Sequence, residues 1–264
     1  MKNPTSIKAG FVQFDVKSGD IESNLQSVQN SIKRLSDKGA QVAVLPELWP
    51  CGFDNLKIAG HAGKSPELID CLRQLAQKHH MLIAGSMPQE SHGQIYNTMV
   101  VIDKDGAIAG EYRKIHLFSS IGEDAVFSAG DRAVVCETSV GPVGLMICYD
   151  LRFPELCRLL ALSGARLVIV SAQWPESRIN HWDILLQARA IENQLFIVAA
   201  NRVGRDDPLA FNGHSQIISP SGEILVKIIG QAGEGVANLN FKDIDMCRKQ
   251  FNCLKERVPG AYKL

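Results

Sequence analysis

The sequence predicts an α/β fold, in which buried strands alternate with amphipathic helices. Short runs of Val, Ile and Leu, bounded by turn-forming residues, are typical of strands that are covered on both faces. Apolar residues at helical spacing follow several of these runs. A chain of 264 residues with 45% hydrophobic content can also bury a sizeable core. We therefore expect one α/β domain over residues 1–264.

The first half of the chain predicts alternating elements that end in a hairpin. We expect a strand at 7–16, a helix that Asp20 caps and Gly39 ends, a strand at 42–45, a helix at 66–79 and a strand at 81–85. Asp105-Gly106 lies between two apolar runs, which favours a β-hairpin across 97–113.

The second half repeats the alternation and then becomes mostly strand. We expect strands at 143–148, 167–171 and 196–200, with helices at 154–163 and 181–193 between them. Strands at 215–219 and 224–229 are joined by the turn Pro220-Ser221-Gly222, and a strand at 235–239 precedes a polar C-terminal tail.

One segment of the chain resembles another. Residues 39–50 align without a gap on residues 164–175, and each copy is a helix end, an apolar strand and a turn ending in Trp-Pro. This similarity is expected if two similar halves pack against each other. Units of helix, glycine and strand are common, so coincidence explains a single match equally well.

Composition excludes several classes of partner. Lys plus Arg total 28 and Asp plus Glu total 28, so no positive field would gather nucleic acid or anionic lipid. No apolar run is long enough to span a bilayer, and the polar start at residues 1–6 is unlike a secretory signal. Seven cysteines without paired spacing favour a reducing cytosol. No ligand spacing indicates a metal, and no cofactor is expected.

Three residues are candidates for chemistry. Glu47 and Cys148 each follow an apolar run, where the carboxyl ends of parallel strands form a crevice, and Lys114 follows the hairpin. A carboxylate can take the proton of a thiol, and an ammonium can stabilise the thiolate. Taken singly, each residue has an ordinary explanation, because a free cysteine on a buried strand is usually inert and isolated charges are usually solvated.

Three motifs resemble, in order, the signatures of the nitrilase, or carbon–nitrogen hydrolase, superfamily. They are Leu45-Pro46-Glu47, Arg113-Lys114-Ile115-His116-Leu117-Phe118 and Ile147-Cys148-Tyr149-Asp150-Leu151-Arg152-Phe153-Pro154-Glu155. The resemblance extends over nearly the whole chain. It implies a four-layer α-β-β-α sandwich of two mixed sheets, paired into a homodimer.

The resemblance also implies roles for particular residues. Glu47 would be the general base, Lys114 the stabiliser of the oxyanion, and Cys148 the nucleophile that becomes a thioester. The backbone N–H of Tyr149 would complete the oxyanion hole. Glu123, ahead of Ala129-Gly130, would orient Lys114 and the substrate, unless it is simply an exposed loop acid.

Tyr149 directly after the nucleophile resembles the amidase branch, which includes ω-amidases acting on α-keto acid amides such as 2-oxoglutaramate. The small-molecule amide and water would then be the reactants. Deaminated-glutathione amidase, N-carbamoyl amide hydrolase and nitrilase activities remain alternatives, as do an acyltransferase and an assembly module without turnover.

Several side chains are candidates for contact with such a substrate. Arg178 or Arg202 would hold its carboxylate, and Phe53 and Trp174 would form apolar walls, although each could instead be solvated or packed in the core. We expect Arg152, Arg189 and Glu192 to be structural charges near the site.

Overall fold

The computed structural model describes residues 4–261 and contains two mixed sheets. Met1–Asn3 and Tyr262–Leu264, the ends of the expected polar termini, lie outside the described residues. The strands are β1 (Ser6–Gln13), β2 (Val42–Val44), β3 (Leu82–Ser91), β4 (Gln94–Ile102), β5 (Ile108–Arg113), β6 (Val135–Thr138), β7 (Gly141–Ile147), β8 (Leu167–Ser171), β9 (Phe196–Ala200), β10 (Val203–Asp206), β11 (Leu209–Ile218), β12 (Ile224–Ile229) and β13 (Gly233–Asn240). The helices are α1 (Ile21–Asp37), α2 (Ile58–His79), α3 (Pro154–Leu162), α4 (Ile179–Asn193) and α5 (Lys242–Gln250).

Each sheet has a parallel centre and antiparallel edges. The first sheet has the order β13-β1-β2-β3-β4-β5, in which β1, β2 and β3 are parallel neighbours. The second has the order β10-β11-β9-β8-β7-β6, with β7, β8 and β9 parallel and β12 paired to β11. The central strands are buried along their whole length, which explains why their sequences are continuous apolar runs.

The two sheets pack face to face, and helices cover their outer faces. One hydrophobic cluster joins Phe11 and Met99 of the first sheet to Leu145 and Ile169 of the second. A separate cluster packs α1 and α2 against the outer face of the first sheet, while α3 and α4 pack on the second. This arrangement confirms the four-layer α-β-β-α sandwich that the motifs imply.

The two similar segments, 39–50 and 164–175, lie next to each other. They contain β2 and β8, the second of three parallel strands in each sheet. Ser171 Oγ donates to the Leu45 carbonyl at 2.8 Å, and the Glu47 N–H donates to the Ala172 carbonyl at 3.3 Å. The matching turns after these strands therefore form one continuous crevice between the sheets.

Three expectations about the elements were wrong or incomplete. Helix α2 begins at Ile58, eight residues before the predicted start, and keeps Pro66 inside it. The C-terminal tail contains α5. The single predicted hairpin is a three-strand meander, because β3 pairs with β4 around His92-Gly93 before β4 pairs with β5. No helix within residues 4–261 is long and apolar enough to cross a membrane.

Candidate active site

Cys148 lies at the first position after β7 and begins a short 3-10 turn, Cys148–Arg152. Its φ angle of 46° is in the left-handed region, which disfavours a residue with a Cβ by about 1–2 kcal/mol. Such strain persists only where the surroundings determine the backbone strongly. The left-handed conformation of Cys148 turns the chain out of the sheet and leaves this residue partly accessible in a pocket.

Lys114 is held at its backbone by two neighbouring segments. Its N–H donates to the Asn97 carbonyl at 2.9 Å, and its carbonyl accepts from the Gly130 N–H at 2.8 Å. A Cβ at Gly130 would lie 2.2 Å from the Arg113 carbonyl oxygen, so only glycine permits this approach. The side chain of Lys114 then points into the crevice and is 1% exposed.

The Lys114 ammonium joins two fully buried carboxylates. Its Nζ lies 2.8 Å from Glu47 Oε1 and 2.8 Å from each oxygen of Glu123. The Asn97 side-chain amide donates to Glu47 at 2.9 Å and to Glu123 at 3.3 Å. The Phe118 N–H also donates to Glu123 at 2.8 Å. The prediction that Glu123 accompanies Lys114 therefore agrees with the geometry, and the exposed alternative does not.

Glu47 is oriented from both sheets. It follows β2, and its second carboxylate oxygen accepts the Gln173 N–H at 3.0 Å, just after β8. Burial raises the pKa of Glu47, an effect that Lys114 opposes and Glu123 reinforces. A carboxylate with a raised pKa is a stronger base than an ordinary glutamate.

The surroundings raise the pKa values of both Cys148 and Lys114, but for different reasons. Burial, followed by the nearby Glu47 carboxylate, raises the pKa of Cys148 well above its ordinary value. The resting thiol is therefore protonated next to a carboxylate. Burial alone would lower the pKa of Lys114, but Glu47 and Glu123 outweigh it and raise that pKa. Lys114 therefore stays charged at neutral pH and cannot act as the base.

A cavity of about 50 Å³ is lined by Lys114, Glu123 and Cys148 at one end. Its walls are mostly aromatic and apolar and include Phe53, Phe118, Ile121, Tyr149, Trp174 and Phe211. A second cavity of about 680 Å³, called the vestibule here, shares several of these walls and is also lined by Asp206 and Asp207. The three predicted substrate contacts, Phe53, Trp174 and Arg178, all line the inner cavity.

The arginines of this region have different surroundings from those expected. Arg202 was a candidate carboxylate ligand, but it is fully buried and bonded to Asp15, Asp206 and Gln173. Arg152 was expected to be a structural charge, yet it lines the cavity over the Trp174 ring, 4.6 Å from its centre.

Arg152 and Arg178 form no ion pair with a carboxylate in the described part of the chain. Burial, and also the proximity of Arg178, lower the pKa of Arg152. Arg178 is exposed to water and Arg152 lies 3.3 Å from His181 Nδ1, so both guanidinium groups remain available to bind an anionic group on a molecule in the cavity.

Three polar residues of the site were not predicted from the sequence. Asn97 and Gln173 orient Glu47, and Asp150 supports the turn of Cys148. A signal for Gln173 was present, since it follows β8 in the segment that resembles the one carrying Glu47. Within residues 4–261, no group of three or more His, Cys, Asp or Glu side chains could hold a metal ion.

Comparison with known proteins identifies the family to which this chain belongs. Residues 8–249 match the carbon–nitrogen hydrolase family. The chain belongs to the carbon–nitrogen hydrolase family. This carbon–nitrogen hydrolase is therefore an enzyme, and the resemblance read from the three motifs is confirmed.

Relatives of this hydrolase include characterised amidases. It is 41% identical to a 2-oxoglutaramate amidase of Bacillus subtilis over 85% of this chain and 86% of the relative. A carbon–nitrogen hydrolase structure from Helicobacter pylori superposes with a TM-score of 0.92 at 28% identity, covering 98% of this chain and 97% of the other.

A second structure, of an amidase from Nesterenkonia sp. AN1, superposes with a TM-score of 0.87 at 27% identity and covers 97% and 95% of the two chains. In a variant of that amidase, the acetamide moiety of fluoroacetamide is covalently added at the active site cysteine.

Proposed function

We propose that this hydrolase is an ω-amidase-type enzyme, which cleaves the terminal amide of a small carboxylated substrate such as 2-oxoglutaramate and releases ammonia. The observation that carries the proposal is the proximity of a Cys148–Glu47–Lys114 centre to two guanidinium groups that line the same small cavity and bind no carboxylate within residues 4–261. The identity to 2-oxoglutaramate amidase supports the same substrate class.

The first half-reaction forms a thioester. The Cys148 sulfur attacks the amide carbon while Glu47 takes the thiol proton. The Lys114 ammonium and the Tyr149 N–H stabilise the negative oxygen that develops, a contribution of about 3–4 kcal/mol for a well-placed donor. The carbon–nitrogen bond then breaks, and Glu47 returns its proton to the leaving nitrogen, which departs as ammonia.

The second half-reaction regenerates the enzyme. A water molecule enters the place that ammonia has left and attacks the thioester carbon while Glu47 takes its proton. The tetrahedral intermediate collapses with the Cys148 sulfur as leaving group, and Glu47 returns a proton to that sulfur. The products are the free carboxylic acid and the original thiol. Glu123 acts in both halves by keeping the Lys114 ammonium in place.

We assign substrate selection to the two arginines that line the cavity. Arg178 borders both the inner cavity and the vestibule, and Arg152 lies against Trp174. Together they would bind the carboxylate that lies opposite the amide. Phe53 and Trp174 would pack against the methylene chain between the two ends.

Ammonia release from a panel of compounds tests the proposal. The panel contains 2-oxoglutaramate, succinamate, uncharged butyramide, aliphatic nitriles and N-carbamoyl amines. We expect release from the two carboxylated amides, with kcat/KM above that for butyramide. Release only from carbamoyl compounds or only from nitriles would contradict the amidase assignment. Release of a transferred acyl product with an amine, but none of free acid, would favour an acyltransferase.

Two arginine variants test the carboxylate site. Arg152→Met and Arg178→Met each remove a charge-assisted hydrogen bond, so KM for succinamate should rise about 10- to 100-fold. Turnover of butyramide should stay near the wild-type value because it has no carboxylate. Arg205→Met is the matched control, since Arg205 is an exposed arginine paired with Asp207 and lines neither cavity. Equal losses for both substrates would remove the carboxylate site from the proposal.

We also propose that the chain is one domain that forms a homodimer in the cytosol. Pairing of β1 with β13 joins the two ends of the chain in one sheet. Leu159, Leu162, Ile184 and Ile191 are exposed on α3 and α4 and would be covered by a second copy. All seven cysteines are free, which suits a reducing compartment. Sedimentation of the wild type and Ile184→Lys tests the dimer, which the lysine should dissociate.

A further inference from the structure

Asp150 is fully buried two residues after Cys148, yet it does not line the cavity. Its carboxylate accepts four hydrogen bonds. Oδ1 accepts from the His116 backbone N–H at 3.1 Å and from His116 Nδ1 at 2.7 Å. Oδ2 accepts from the Tyr112 hydroxyl at 2.7 Å and from the Ile147 N–H at 2.9 Å. A buried carboxylate with this many donors is held in one position.

The four donors come from two separate parts of the chain. Tyr112 lies in β5 of the first sheet, two residues before Lys114, and His116 lies two residues after Lys114, in the segment that follows β5. The Tyr112 hydroxyl also accepts from the Ile115 N–H at 3.3 Å. Ile147 is the last residue of β7 in the second sheet, directly before Cys148. One carboxylate therefore joins the segment of Lys114 to the turn of Cys148.

The contacts of the Lys114 side chain link the two sheets by a different route. Glu47 and Glu123 hold the ammonium, but Glu47 follows β2 and Glu123 lies in a loop after β5. Glu47 connects the ammonium to the second sheet through Gln173, which follows β8, whereas Asp150 bonds directly to the backbone N–H before Cys148. A catalytic donor must be placed within about 0.5 Å of its productive position, and directional hydrogen bonds to a buried carboxylate restrain that position more specifically than apolar packing does.

We propose that Asp150 is a positioning residue that sets the separation between the Lys114 ammonium and the Cys148 sulfur. It does so through Tyr112 and His116 on one side and through Ile147 on the other. The bond to Ile147 also closes the turn in which Cys148 adopts its left-handed conformation. This role rests on the proposed function in so far as that function makes Cys148 and Lys114 the reacting groups.

Tyr112→Phe and Asp150→Asn test the role. Tyr112→Phe keeps the ring and all charges and removes one hydrogen bond to Asp150, while Asp150→Asn leaves only one carboxamide oxygen to accept. We expect kcat for the amide substrate to fall about 10-fold or more with KM changed less than about twofold, because only the transition state needs the exact separation of Lys114 and Cys148.

Alkylation of Cys148 by iodoacetamide, followed by mass spectrometry of its peptide against pH, is the second readout. Lys114 lowers the pKa of Cys148, so displacement of Lys114 should move the alkylation profile to higher pH. Circular dichroism checks that each variant is folded. Asp183→Asn is the matched control, since Asp183 also accepts from a histidine, His214, at 2.8 Å, but its partners belong to neither the Lys114 segment nor the turn of Cys148. It should leave kcat and the alkylation profile unchanged.

Two outcomes separate this role from the proposed function. If Tyr112→Phe lowers only the melting temperature and moves neither kcat nor the alkylation profile, Asp150 is merely structural and the inference is overturned. If the wild type hydrolyses no carboxylated amide but the alkylation profile still moves in Tyr112→Phe, the positioning role stands and the proposed substrate class fails.

Discussion

Gln173 holds Glu47 by two hydrogen bonds, one from its backbone N–H to the Glu47 carboxylate at 3.0 Å and one from its side-chain amide to the Glu47 carbonyl at 2.7 Å. The residues belong to different sheets and to the two similar segments of the chain. The proposed general base is thus held by the opposite half of the molecule, and its position depends on how the two halves pack.

Cys148→Ala should abolish turnover and keep the fold. Without a sulfur no thioester can form, so ammonia release should fall by at least about a thousandfold. Alanine removes little buried volume, and circular dichroism should match that of the wild type. Ammonia release near the wild-type rate in this variant would rule out the thioester route.

Lys114→Gln should destabilise the protein in a way that depends on pH. Removing the cation leaves buried Glu47 and Glu123 without a countercharge, which destabilises folded proteins by about 3–5 kcal/mol. The pKa of Glu47 in the folded protein is raised, so this carboxyl group becomes neutral as the pH falls. The free-energy penalty for burying its charge therefore disappears below its pKa in the unfolded chain, about 4.3.

Urea unfolding of the wild type and Lys114→Gln at pH 8 and at pH 5 measures this effect. The deficit in the free energy of unfolding should be larger at pH 8. A deficit that is equal at both values would mean that the carboxylate charges do not cause it.

Glu47→Gln should remove both the proton acceptor and the negative charge beside Cys148, and the two losses are measured by different experiments. Turnover should fall about 100-fold or more because the proton acceptor is lost. The Glu47 charge raises the pKa of Cys148, so removal of that charge should shift the pH profile of Cys148 alkylation to lower pH. Iodoacetamide kinetics with mass spectrometry of the Cys148 peptide measure the shift, and an upward shift would contradict the electrostatics described above.

Arg202→Met should loosen the hairpin formed by β10 and β11. Arg202 binds Asp15 at 3.0 Å, Asp206 at 2.5 Å and Gln173 at 3.0 Å. Both aspartates are 36% exposed and can recover water, so the loss in the free energy of unfolding should be about 1–3 kcal/mol. Phe211, which stacks on Arg202 and lines the cavity, should move, and KM should rise.

Urea unfolding and steady-state kinetics of Arg202→Met, with Arg205→Met as the control, check this expectation. The control removes a pair at the hairpin surface and should change neither quantity appreciably. Equal stability losses in the two variants would show that burial of Arg202 is unimportant.

The strands of the crevice could be predicted because burial on both faces requires continuous apolar runs. The runs before Glu47 and Cys148 placed both residues at strand ends without further information. Lys114 and Glu123 needed the family resemblance, since nothing local shows that a loop lysine points inward.

Asn97 and Asp150 could not be found from local patterns, because their roles consist of contacts between distant segments. Asn97 reads as part of a strand, and Asp150 as a polar residue after a cysteine. Helix α2 was predicted too short for another reason, since Gly60, Gly63 and Pro66 are poor helix formers. Burial of Ile58 and Ala62 on its first turns outweighs that preference.

Pairing of β1 with β13 has a consequence during synthesis. Strand β1 finds one of its two neighbours only when residues 233–240 have been made. Until then β1 keeps an open edge, and the sheet that carries Glu47 and Lys114 stays incomplete. A nascent chain thus completes the sheet that carries Glu47 and Lys114 only after the segment with Cys148 has already been made.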